Sequence, residues 1–85
     1  MWQPNLGMAG AQFPLPSGAV VVVHHYVGAG PALFVTCHAL RINTMPLIAT
    51  DVEVAKLEAL HAVAEALDVL ANDRVIVERW LGGSP

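Results

Sequence analysis

Residues 19–42 constrain this chain more than any other stretch. They read Ala-Val-Val-Val-Val-His-His-Tyr-Val, then Gly28-Ala29-Gly30-Pro31, then Ala-Leu-Phe-Val-Thr-Cys-His-Ala-Leu-Arg-Ile. Two β-branched, aromatic-containing runs around a Gly/Pro turn predict a β-hairpin, with strands over 19–26 and 32–42. No Asp, Glu, Lys or Arg occurs before Arg41. Strands with so little polar alternation need cover on both faces, and a chain of 85 residues has little material to supply it. The expectation is a protein built to associate.

Composition points the same way. The chain is 55% hydrophobic and 13% charged, about half the charged fraction of an average globular protein. Its net charge of -3 and four scattered basic residues, Arg41, Lys56, Arg74 and Arg79, argue against nucleic-acid binding, which needs clustered cations. Residues 18–40 are uncharged and long enough to span a membrane. However, His24 and His25 lie mid-run, Gly28, Gly30 and Pro31 interrupt it, and no basic cluster precedes it, so a membrane span is disfavoured. A single cysteine, Cys37, excludes an internal disulfide. With no basic segment of the secretory type at the N-terminus, the expected location is cytoplasmic.

Residues 1–18 carry Pro4, Pro14, Pro16 and three glycines, together with Trp2, Leu6, Met8, Phe13 and Leu15. Proline excludes helix and central strand. This segment therefore reads as an uncharged extended arm laid over an apolar surface. Residues 43–46, Asn-Thr-Met-Pro, read as a strand break. Thr50-Asp51-Val52-Glu53 then has the form of a capping box, opening a helix over 51–71. Asn72-Asp73 suits a helix exit, Val75-Ile76-Val77 a third strand over 74–80, and 82–85 a tail. The expected fold is one α+β domain over 19–81 in the order ββαβ, completed by oligomerisation.

Pairing around Gly30 places Val20, Val22, His24 and Tyr26 on one face with Phe34, Thr36 and His38. Val21, Val23 and His25 share the other with Val35 and Cys37. On the helix, Glu58, His61, Glu65 and Asp68 form a polar stripe, beside a stripe of Leu57, Leu60, Ala64 and Leu67. Ala55, Ala59, Ala62, Ala66 and Val69 form a further apolar stripe, and the whole apolar arc spans roughly 200°. The expectation is that the Leu side packs on the sheet and the Ala side is an interface for a second helix from another copy.

Two metal constellations can be weighed. His24 and His38 share a sheet face, while His25 and Cys37 take the other, and no CxxC, HxH or HExxH spacing is present. Glu58-x-x-His61 with Glu65 has di-iron spacing but lies in the stripe expected to face solvent. Cys37 among Val, Thr and Ala reads as a small buried hydrophobe rather than a nucleophile, and Gly28-Ala29-Gly30 lacks the third glycine of a dinucleotide loop. No catalytic residue and no cofactor are implied. The leading reading is a non-enzymatic assembly or interaction protein, a homo-oligomer or a small subunit of a larger complex. The alternatives are a metal-binding or metalloenzyme subunit using His24/His38 or Glu58/His61/Glu65, and a small acidic inhibitor or adaptor.

Overall fold

A computed structural model describes residues 1–4, 10–26 and 28–83; Leu6, Met8 and the last two residues of the expected tail lie outside that set. Five strands precede one helix: β1 (Gln3–Pro4), β2 (Gly10–Pro14), β3 (Val20–His25), β4 (Leu33–Cys37), β5 (Ile42–Pro46) and α1 (Val52–Leu81). The strands form one antiparallel sheet in chain order. The α+β class therefore holds.

The strand order ββαβ does not. Residues 74–80, expected as a third strand, continue α1, and the sheet is completed from the N-terminal side. The proline-rich arm supplies β1 and β2, with β2 paired along its full length to β3. Proline is tolerated there because Pro14 closes β2 and Pro4 lies in the outermost strand. Gly10 lies opposite His24, so close that a Cβ would collide with the Val23 carbonyl oxygen. Residues 43–46, expected as a break, belong to β5. Before it, β4 ends in a single 3-10 turn, His38–Leu40, closed by Arg41 with a left-handed backbone.

The hairpin register differs by two residues from the one centred on Gly30: Val22 faces Thr36, and His24 faces Phe34. A shift of two preserves the alternation of faces. Val21, Val23, Leu33, Val35 and Cys37 are all fully buried on the inner face, against Ala55, Ala59 and Val63 of α1. This reverses the expected use of the helix. The sheet is covered by the small side chains, whereas Leu57 is 63% exposed. Alanine lets the helix backbone approach the tightly pleated Val/Leu/Cys surface, which leucines would hold away.

The N-terminus of α1 begins close to where the sequence puts it, with a different cap. Asp51 is the capping residue, and its carboxylate accepts from the Glu53 amide at 3.3 Å. Glu53 instead pairs with Lys56 at 3.0 Å, and Lys56 also lies 5.8 Å from the centre of the Trp2 ring. Trp2 meets Phe13 edge-on at 5.3 Å, which ties the N-terminal edge of the sheet to the helix. Among the described residues no helix is long and apolar enough to cross a membrane.

The helix-face assignment is testable by urea unfolding. Ala59→Leu overfills the contact with the sheet and is expected to cost ~1–3 kcal/mol. Leu57→Ala, on the exposed side, is expected to change stability by less than about 0.5 kcal/mol.

Candidate functional site

Two surfaces stand out once the core is accounted for. The first is a cleft of about 540 Å³ on the outer face of the sheet, the face turned away from α1. It forms because β3 and β4 alternate. Val21, Val23, Val35 and Cys37 go to the core, so Val20, Val22, His24 and Thr36 line the other side. The 3-10 turn and β5 add His38, Ala39, Asn43 and Thr44.

His24 is buried in this face. Its Nδ1 lies 3.0 Å from the His25 carbonyl oxygen, which can only accept, so Nδ1 carries the proton and donates. Nε2 is left to accept from the Thr36 hydroxyl at 2.9 Å. The Thr36 oxygen in turn accepts the Thr44 N–H at 3.0 Å. The chain of donors is complete, and no buried side-chain polar atom lacks a partner among the described residues. Thr44 holds φ 50 and Arg41 φ 60. For a β-branched residue such a backbone costs on the order of 1–3 kcal/mol and persists only where surrounding bonds hold it. Here the Thr36 oxygen and the 3.1 Å bond from the Thr44 hydroxyl to Asn43 do so.

The second surface is α1 beyond the sheet. Val63 is the last buried residue, and the helix runs on for roughly 27 Å at ~1.5 Å per residue. This projection gives the molecule its extents of 52 × 22 × 19 Å. Leu67, Leu70, Ile76, Val77, Trp80 and Leu81 are exposed along it. The helix ends only at Gly82, whose N–H reaches the Glu78 carbonyl at 3.0 Å.

The residues singled out from sequence fall unevenly on these surfaces. His24 and His38 do line one cleft, but both ring nitrogens of His24 are already committed. Glu58 is half-buried, with its carboxylate taken up by the chain's own backbone. Its two oxygens accept the backbone N–H groups of Ile48 and Ala49 at 2.7 and 3.0 Å, fastening the loop before α1. His61 and Glu65 stay exposed beside it. Among the described residues no three His, Cys, Asp or Glu side chains converge as a metal site would require. Of the expected interface stripe, Ala55 and Ala59 are spent on the chain's own sheet, Ala62 and Ala66 are half-buried, and Val69 is exposed. Asn43 and Thr44 were missed because they read as a strand break; the shared face of His24 and Thr36 was the available signal. Comparison with known protein families, with characterised proteins and with solved structures finds no match to this chain.

Thr36→Val keeps the shape of the side chain but strands both the Thr44 N–H and His24 Nε2. A loss of about 1–3 kcal/mol is expected in thermal or urea unfolding, as for other buried groups left unpaired.

Proposed function

We propose that this protein is a non-enzymatic assembly module that works by self-association, with the free half of α1 as its contact surface. One observation carries the reading: the helix runs about 27 Å past its own core with Leu67, Leu70, Val77, Trp80 and Leu81 uncovered. Isolated helices of this length are marginal in water, and monomers rarely display so continuous an apolar surface. The outermost strands carry Pro4 and Pro46, which lack the donors that edge-to-edge pairing uses.

A second copy is the occupant that fits. On the helical wheel the stripe Ala55, Ala59, Val63 that meets the sheet continues as Ala66, Leu70, Val77 and Leu81. A parallel neighbour on that stripe would run into the sheet covering its first half. An antiparallel neighbour overlaps only the free halves, and each helix then ends near the other's sheet. Asp73 and Arg74 lie at opposite margins of the stripe, where both remain wet. The contact is isologous, so it closes as a dimer rather than growing.

Sedimentation velocity of the full chain is expected to give a dimer. Leu70→Glu with Val77→Glu places charge in the seam, where each buried side chain of this size is worth ~1.5–3 kcal/mol. The double variant is therefore expected to raise the dissociation constant by about 100-fold or more, with far-UV circular dichroism still reporting a folded sheet. A wild-type monomer that keeps α1 helical to its end would overturn the proposal in favour of docking on a different protein.

A further inference from the structure

The geometry points to a second, separate property: the cleft on the outer sheet face is a binding site for a small uncharged aliphatic amide. Its volume of about 540 Å³ falls within the ~300–1,000 Å³ of small-molecule sites. Ala19, Val20, Val22 and Ala39 give it apolar walls.

The lining selects against charge. No Asp, Glu, Lys or Arg lies among the residues that form it. An ion entering the cleft gives up part of its hydration and meets no countercharge. The buried members of the lining, His24 and Thr36, have no donor to spare. Both ring nitrogens of His24 are committed, and the Thr36 hydroxyl donates to one of them while accepting the Thr44 N–H. A hydrocarbon group can therefore lie over them without stranding a donor.

The free polar groups of the lining belong to its exposed residues, and they both donate and accept. The Asn43 side-chain oxygen takes the Thr44 hydroxyl proton at 3.1 Å and keeps a second lone pair. Its NH2 group has no partner among the described residues. The bond from Thr44 restrains this amide before any ligand arrives, which lowers the cost of binding. A second carboxamide matches it with two reciprocal N–H to oxygen bonds. A carboxylate, which only accepts, or an ammonium, which only donates, can make half of that pair. His38, exposed and without a side-chain hydrogen bond among the described residues, adds one further donor and acceptor. The alkyl part of the ligand then lies against the valine and alanine walls. A cleft facing away from α1 is open whether or not the helix associates, so the test below is independent of the dimer.

Titration of 15N-labelled full chain with hexanamide, followed by amide shifts, tests this directly. Sodium hexanoate and hexylammonium chloride are the charged counterparts, and pH 8 keeps ordinary imidazoles neutral. Saturable shifts with hexanamide are expected over residues 18–24 and 36–44. Both ions are expected to bind about tenfold more weakly. Asn43→Leu, an exposed change that removes the reciprocal pair, is expected to weaken hexanamide by about five- to tenfold. Val20→Asp, at a position 38% exposed, puts a carboxylate in the lining and is expected to tighten hexylammonium about fivefold. Hexanamide shifts that do not saturate, or that fall on residues 66–81 instead, would each overturn the assignment. So would either ion binding as tightly as hexanamide, Asn43→Leu protein binding hexanamide as the wild type does, or Val20→Asp protein with no gain for hexylammonium.

Discussion

The close approach of α1 to the inner face of β3 and β4 is the contact on which the rest of the structure depends. Val21, Val23, Leu33, Val35 and Cys37 present a continuous branched surface with no solvent contact. Only a helix with methyl groups at Ala55 and Ala59 can lie on it closely enough to leave no void. That contact sets the rotation of the whole helix. Once the alanines face the sheet, Leu57 must face away, and Leu67 and Leu70 are carried beyond the sheet with nothing beneath them. The Glu58 carboxylate, holding the Ile48 and Ala49 amides, fixes the same rotation from the other side. The leucines are therefore uncovered as a consequence of how the core is closed.

The hairpin was legible from residues 19–42 because its pattern is strong locally. β-branched runs, a Gly/Pro turn and strict alternation determine which side chains share a face, even though the turn geometry shifted the register by two. The start of α1 was legible to within a residue because Thr50, Asp51 and Glu53 cluster the groups a helix start requires, although Asp51 rather than Thr50 is the cap. The C-terminal end was not. Asn72-Asp73 and Val75-Ile76-Val77 have local preferences for a turn and a strand, and those preferences are worth only a few tenths of a kcal/mol per residue. A strand over 74–80 would have needed a partner edge, whereas continuing the helix added one backbone bond per residue. With no glycine or proline between Asp51 and Leu81, nothing stopped it before Gly82.

The outer-face cleft was half legible. The common face of His24 and Thr36 follows from alternation alone. That His24 would be buried, and that its partner Thr36 would also accept the Thr44 N–H, does not. Thr44 comes within reach only after the His38–Leu40 turn, a left-handed Arg41 and a left-handed Thr44 bring β5 back alongside β4. These are conformations that Arg and Thr adopt under tertiary constraint and never announce in sequence. The reading of Asn43–Pro46 as a break was a reasonable inference from composition, and it concealed the residues that give the cleft its polar character.

Charge and apolar surface are divided between the two halves of the chain in a way that a single folding requirement does not explain. The sheet half carries no carboxylate side chain and one guanidinium; the helix half carries all seven acids and the remaining three bases. Packing the core would tolerate acids on the exposed positions of β3 to β5, and an antiparallel sheet with one wet face ordinarily has them. Here that face has Val20, Val22, Phe34 and Tyr26, set around a histidine with no spare nitrogen. On α1, by contrast, the carboxylates fall mostly on the side of the helix opposite the apolar stripe, with Asp73 at its margin. The two faces thus differ in kind: one is an acid-free concavity, and the other an uncovered apolar stripe with its carboxylates set mostly on the opposite side.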